Sequence, residues 1–236
     1  MNIIDFRKLI EQNFDLSHLN IDNTMDKFKK YFDFLKSENM KYNLTRLDSE
    51  GLFWDQYLYQ SIICYRQVDF KQINSLLDVG SGSGVPGIVL KILWPNIKLT
   101  IIESNNKKVE FLNQLVNLLQ LNNVDIICGR AEQIIKHNDK KYDIVTARAV
   151  GAVKILLELL TPYAKIDGQI ILPKSSSYKQ EIEDIDYQLK KLKIELKEID
   201  EFKSEGFSHC VLYFHKKEKT PDQYPRDYRD ILKGFR

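Results

Sequence analysis

The residues best suited to chemistry lie in Leu76-Leu77-Asp78-Val79-Gly80-Ser81-Gly82-Ser83-Gly84-Val85-Pro86-Gly87, where a β-rich apolar run breaks into a glycine-rich turn that opens a second apolar run. Glycine reaches positive φ and lets a ligand approach the backbone with no Cβ in the way. Four glycines within Gly80 to Gly87 would cost backbone entropy without compensation unless something binds there. A tight turn with no ligand is the plainer alternative. On the binding reading, Asp78, Gly80, Ser81, Gly82, Gly84 and Val85 are the candidate contacts.

Two ligands fit the spacing. Gly82-Ser83-Gly84-Val85-Pro86-Gly87 satisfies the dinucleotide pattern G-x-G-x-x-G, which implies a nicotinamide cofactor and an oxidoreductase. The same turn also reads as Gly80-x-Gly82-x-Gly84, and Asp78 stands two residues before the first glycine. A carboxylate there suits the ammonium and sulfonium charges of S-adenosylmethionine better than a pyrophosphate of like charge. S-adenosylmethionine is therefore the expected cofactor. Glu103 ends the next β-rich run about twenty residues past the loop, where an acid accepts hydrogen bonds from both ribose hydroxyls of either ligand. Otherwise it would be a helix-capping acid. Gly129-Arg130-Ala131-Glu132 follows the third β-rich run, and Ala131 and Glu132 are candidates for recognising the adenine edge.

The run Tyr142 to Val150 is informative through what is missing. Methylation of exocyclic base amines usually employs an Asn- or Asp-Pro-Pro-aromatic turn here, and pyrimidine carbon methylation needs a cysteine nucleophile, commonly after a proline. The chain has no Pro-Pro, and none of Cys64, Cys128 or Cys210 follows a proline. Acceptors that are already nucleophilic remain, and for these positioning does most of the work. Guanine N7 is one: its lone pair attacks a methyl group with no proton to remove. Arg148 could hold the donor, the Hoogsteen edge or a phosphate, or else make a surface salt bridge.

These residues need elements to position them. Ile3, Phe6, Leu9 and Ile10, then Phe28, Tyr31, Phe32 and Leu35, recur at helical spacing, with Asp22 or Thr24, and Asp48 or Ser49, as N-caps for the second and third helices. Beyond them, strands are predicted at Ser75 to Val79, Leu99 to Glu103, Asp125 to Cys128, Asp143 to Ala147, Gln169 to Leu172, Ile194 to Phe202 and Cys210 to His215, with a clear helix from Asn106 to Leu121. Alternating strands and helices imply right-handed crossovers and an α/β fold. The expectation is a Rossmann-like methyltransferase fold: a seven-stranded, mostly parallel sheet with an antiparallel C-terminal hairpin around Ser204-Glu205-Gly206, and an N-terminal helical extension. Residues 1–65 form the extension, 66–215 the cofactor-binding core and 216–236 a basic tail.

At 236 residues, 43% hydrophobic and 29% charged, the composition is that of an ordinary globular chain of one domain with short additions. A net charge of +2 rules out a polycation that coats nucleic acid, so RNA contact must use local patches. One such patch is the segment from Lys216 to Arg236, with seven Lys or Arg against four Asp or Glu and with Tyr224, Tyr228 and Phe235 among them. It could grip phosphate while the rings stack, or be a solvated tail. The three cysteines and four histidines lack metal-ligand spacing, so no metal is expected. No run approaches the ~18 apolar residues of a membrane span, so a cytoplasmic protein with no membrane partner is expected.

Together these residues resemble the RsmG/GidB family, the 16S rRNA guanine-N7 methyltransferases. The resemblance runs from about Lys41 to Arg226 and is densest at Tyr42-Asn43-Leu44-Thr45, at Asp78 to Ile88 with its specific Val85-Pro86-Gly87-Ile88 continuation, at Glu103-Ser104 with Lys107-Lys108 and Phe111-Leu112, and at Arg130-Ala131-Glu132 with Ala147-Arg148-Ala149. It implies S-adenosylmethionine contacts at Gly80, Val85, Ala131, Glu132 and Arg148, a ribose acid at Glu103, and Arg148 and Lys174 as the catalytic residues. It also implies a guanine in the decoding-region loop of 16S rRNA, or the small-subunit ribonucleoprotein, as substrate, and a monomer. The chain departs from the family pattern at Trp54 to Gln60, where an Arg-His and an Asp are missing, at Ser175, where glycine is usual, and after Tyr224-Pro225-Arg226. A small-molecule methyltransferase of the same fold is the other alternative.

Overall fold

The computed structural model describes residues 1–42, 49–137, 139–175 and 178–235. Helices α1 (Ile3–Asn13) and α2 (Ile21–Tyr42) lead into short helical turns, α3 (Glu50–Leu52), a π-helix (Phe53–Tyr59), α4 (Gln60–Ile62) and 3-10 turns at Ile63–Tyr65 and Phe70–Gln72. Then come β1 (Ser75–Val79), α5 (Gly87–Leu93), β2 (Lys98–Glu103), α6 (Asn106–Leu118), β3 (Val124–Cys128), α7 (Ala131–Ile134) and β4 (Tyr142–Thr146). The chain continues with α8 (Val153–Leu160), β5 (Ala164–Lys174), α9 (Tyr178–Glu181), α10 (Asp186–Leu192), β6 (Ile194–Ser204), β7 (Phe207–Lys216) and α11 (Tyr228–Ile231). The strand order is β3-β2-β1-β4-β5-β7-β6, the expected seven-stranded sheet. No helix among the described residues is long and apolar enough to cross a membrane.

Packing divides the chain into two compact units, residues 1–72 with 81–128 and residues 73–80 with 129–236. In the first, β2 and β3 pair in parallel from Leu99↔Val124 to Glu103↔Cys128. Phe6, Phe28, Tyr31, Phe53 and Trp54 are fully buried, and Phe6 meets Phe28 edge-on at 5.3 Å between ring centroids. Phe34 stacks on Phe111 at 5.2 Å, which fastens α2 to α6. The Asn2 side chain caps α1 with Asp5 reaching back, a capping box. The second helix begins earlier than expected. Asn20 Oδ1 accepts from Asn23 N at 3.1 Å, so Asn20 takes the cap role expected of Asp22 or Thr24, and Asp22 falls in the first turn, where its charge favours the helix dipole. Ser49 caps α3 through Leu52 N, while Asp48 lies outside the described residues.

The second unit holds β1, β4 and β5 in parallel, with Leu76↔Ile144 and Ile144↔Gln169 in register. Strand β7 runs antiparallel to both β5 and β6. Glu205 and Gly206 both take positive φ, 50° and 82°, which is the geometry of a two-residue hairpin turn whose twist matches its strands. Strand β5 starts at Ala164, five residues before the expected Gln169, because it runs through an irregularity in which Asp167 has φ 64°. The turn-like Asp167-Gly168 pair hides that continuation in the sequence. A Cβ on Gly168 would come within 3.0 Å of the Lys165 and Tyr142 carbonyl oxygens.

Two charged residues tie this unit together. Asp143 Oδ2 accepts from Asn74 N, Ser75 N and Ser75 Oγ at 3.0, 2.8 and 2.9 Å, and Oδ1 accepts from Lys165 at 2.7 Å. Burial works to raise its pKa, but the hydrogen bonds from Lys165, Ser75 and Asn74 outweigh it and hold the carboxyl below the usual aspartate range. Glu158, fully buried on the otherwise apolar α8, accepts from Arg226 Nε, Nη2 and backbone N at 2.8, 2.7 and 2.9 Å. The guanidinium also reaches Gly234 O at 3.1 Å and lies 4.6 Å from the Phe235 ring centroid. The C-terminal segment is therefore anchored at Arg226, not a loose solvated tail.

Removing one partner of a buried pair strands the other charge, so Arg226→Ala is expected to destabilise by about 3 kcal/mol or more in urea unfolding, and Glu158→Gln by less. The Asp143 contribution is full above the unfolded aspartate pKa of 3.8 and is lost as the pH falls through the lower folded value. The stability gap between wild type and Asp143→Asn should accordingly close below about pH 4 in pH-resolved thermal melts.

Candidate functional site

In the first unit, the glycine turn from Ser81 onward meets Glu103, while Gly80 belongs to the second unit. Gly80, Gly82 and Gly84 have φ of 74°, 63° and 109°, and the turn closes through Gly84 N and Val85 N donating to Ser81 O at 3.0 and 3.1 Å. Glu103, at the end of β2, accepts from Gly82 N through Oε2 at 3.0 Å and from Asn105 N through Oε1 at 2.9 Å. A carboxylate has about four acceptor positions, so capacity remains for ribose hydroxyls. The structure shows Glu103 bracing the turn and the start of α6 through these two amides.

The glycines differ in what they are for. Among the described residues a Cβ on Gly82 would meet nothing within 4 Å, so that face of the turn is open to them, yet φ of 63° excludes most side chains. A Cβ on Gly84 would lie 2.5 Å from the Tyr31 hydroxyl, which makes Gly84 a packing residue. Ser81 and Ser83 are buried, and the Ser81 hydroxyl has no hydrogen-bond partner. Val85 is half-buried.

Sequence reasoning missed what holds the turn. The Tyr31 hydroxyl on α2 donates to Ser83 O, and the Tyr57 hydroxyl on the π-helix donates to Ser83 Oγ. Both tyrosines read as core aromatics in a helical pattern, and nothing in their spacing marks a polar tip. The π-helix occupies the stretch where the chain departs from its family pattern, and such helices often mark functional sites. Asn43, Leu44 and Thr45 lie outside the described residues.

In the second unit, the carboxyl ends of β1, β4 and β5 carry the other candidates. Register Asp78↔Thr146 places Gly80 and Arg148 at the same end of neighbouring strands, the end where open α/β sheets bind ligands. Asp78 is fully buried and Arg148 half-buried. A Cβ on Gly80 would lie 2.7 Å from Val150 Cγ2, so the loop after β4 packs against the end of β1. Within that loop Ala149 has φ 57°, a strained backbone for a residue with a Cβ, of the kind that gathers at ligand sites. Ala131 and Glu132 are buried at the start of α7, and Ala131 O accepts from the Tyr163 hydroxyl at 2.6 Å. Lys174, at the end of β5, pairs with Glu181 at 2.7 Å and donates to Gly151 O at 2.9 Å. Glu181 Oε2 also accepts from Val153 N at 2.8 Å, so the pair braces the loop that carries Arg148.

A family model for rRNA small subunit methyltransferase G, GidB, matches residues 24–210. The protein named ribosomal RNA small subunit methyltransferase G in Malacoplasma penetrans is 43% identical over 235 residues, 98% of each chain. Its namesake in Mycoplasma capricolum is 42% identical over 88% of this chain and 90% of its own, and that of Bacillus cereus is 37% identical over 96% and 95%. Among solved structures, a mutant of MtNAS in complex with S-adenosylmethionine superposes with a TM-score of 0.57 at 14% identity, covering 86% of this chain and 78% of that one. StiE O-MT gives 0.58 at 13% identity over 83% and 84%. At such identities the structures share the fold alone. The match over most of the length goes further, and the chain belongs to the rRNA small subunit methyltransferase G family.

Proposed function

We propose that the chain transfers the methyl group of S-adenosylmethionine to N7 of a guanine in the decoding-region loop of bacterial 16S rRNA. The observation that carries the cofactor is Gly82: an open face at a position that needs glycine, hydrogen-bonded through its own amide to the buried acid Glu103. The family relationship supports the acceptor.

The cofactor supplies an electrophilic methyl group on a sulfonium. Gly80, Gly82 and Gly84 would leave its amino-acid portion room against the backbone, with Ser81 and Val85 as further contacts and Asp78 as a source of negative charge. Glu103 would accept from the ribose, and Ala131 and Glu132 would bound the adenine. Transfer to N7 would use a lone pair already free to attack, with the sulfur leaving as a neutral thioether and no proton to remove, so no side chain would be needed as a general base. Arg148 then orients, holding cofactor, phosphate or the Hoogsteen edge; it does not press on N7, because methylated guanine is itself a cation. We assign Lys174 to positioning the Arg148 loop through Gly151 and Glu181. We further read the protein as a cytoplasmic monomer with residues 1–65 as helical extension, 66–215 as core and 216–236 as basic tail, acting on free rRNA or the small-subunit particle.

Gly82→Val should abolish S-adenosylmethionine binding in calorimetry while the circular dichroism spectrum is kept; unchanged affinity would remove the turn from the site. With methyl-labelled cofactor and 16S rRNA lacking the modification, wild type should label the RNA at guanine N7, read by mass spectrometry. Arg148→Ala should label it at least tenfold more slowly, in line with the loss of about 1.5 kcal/mol of charged hydrogen bonding. Label in small molecules only, or none with a nicotinamide dinucleotide bound instead, would sink the reading.

A further inference from the structure

Two cavities in the second unit share Tyr224 as a wall and differ in chemistry. The first, about 470 Å³, is lined by Tyr187, Tyr224 and Phe235 together with Lys191, Arg226 and Lys233. Phe235 lies 5.5 Å from Tyr224, tilted by 33°, and stands edge-on to Tyr187 at 6.4 Å. The Tyr187 side is 49% exposed, and Lys191 Nζ sits 5.1 Å from its ring centroid. Arg226 is committed to Glu158, so its part here is to seat Phe235. One exposed and two half-buried rings flanked by ammonium groups suit a base, whose π-face stacks whatever its identity, and its backbone.

The second cavity, about 290 Å³, gathers Lys136, Lys141, Lys216 and Lys219 against the carboxylates of Asp139 and Asp222. Lys219 pairs with Asp222 at 2.8 Å and Lys136 with Asp227 at 3.1 Å, exposed pairs that a phosphate can displace at little cost. Lys216 Nζ is buried and donates to Thr161 O and Ala164 O at 2.8 and 2.9 Å, leaving a third proton of its ammonium. Burial, together with the Lys141 charge, pushes Lys216 down to about 8. Burial, with Lys219 behind it, holds Lys141 below the usual lysine range against the pull of Asp139. These lysines repel one another, and an anion relieves that repulsion. Thr220 Oγ1, in the same wall, is buried without a hydrogen-bond partner.

We propose that these adjoining cavities dock a single-stranded segment of RNA, one base resting against Tyr187, Tyr224 and Phe235 and a neighbouring phosphate held by Lys136, Lys141, Lys216 and Lys219. The inference rests on the RNA methyltransferase reading and adds where the substrate is gripped away from Arg148. An acidic peptide would need only the lysine cavity, and its aromatic neighbour argues for nucleic acid.

Full-length Tyr187→Ala and the double variant Lys141→Ala/Lys219→Ala change exposed side chains only. Each should weaken binding of a labelled single-stranded oligouridylate at least tenfold and raise KM for 16S rRNA at least fivefold, with kcat and S-adenosylmethionine affinity within twofold of wild type. The lysine variant should also flatten the dependence of log K on log salt by about 0.7, one phosphate contact's worth, and Tyr187→Ala should leave the slope alone. RNA affinity within twofold of wild type in either variant overturns the proposal while leaving the methyltransferase reading intact. A wild-type chain that binds no cofactor and labels no RNA overturns both.

Discussion

Three backbone positions with positive φ inside five residues, at Gly80, Gly82 and Gly84, are a conformation that an unsupported chain has little reason to keep. The first unit supplies the support. Glu103 takes the Gly82 amide, and Tyr31 and Tyr57 take the two oxygens of Ser83. Each contact replaces a hydrogen bond to water that the turn would otherwise make, so its shape is set before any ligand arrives. Such prior ordering favours affinity, because less freedom is lost on binding. Helix α2 and the π-helix thereby hold the turn at Ser83.

The loop after β4 is the corresponding device in the second unit. Its strained Ala149 persists because Val150 is wedged against Gly80, and because the far end is tied at Gly151 O and Val153 N by Lys174 and Glu181. Over-determination of this sort lets a residue next to a reacting centre hold one orientation. A lysine in this place need not touch substrate to matter.

Strand positions were legible because apolar β-branched runs separated by turn residues leave few alternatives, and the mostly parallel sense followed from the crossovers. The glycine turn was legible for the same local reason. What escaped was non-local. Asn20 and Asp22 are equally good caps on paper, and the tertiary fit of α2 decides between them. The early part of β5 was hidden by Asp167-Gly168, a turn signal overridden by pairing with β4. Tyr31 and Tyr57 advertise apolar rings and conceal useful hydroxyls. Glu158 offered a signal that could have been used: a single acid in Val153-Lys154-Ile155-Leu156-Leu157-Glu158-Leu159-Leu160 must find a cation, and the nearby basic tail holds it.

Strand β6 closes one side of the sheet with eleven residues, a length that would template pairing with a stray extended chain. Its sequence Lys197-Glu198-Ile199-Asp200-Glu201-Phe202-Lys203 holds five charged residues in seven, so an incoming strand would have to desolvate ions to add itself. Charged groups along this rim make it a poor template for one more strand.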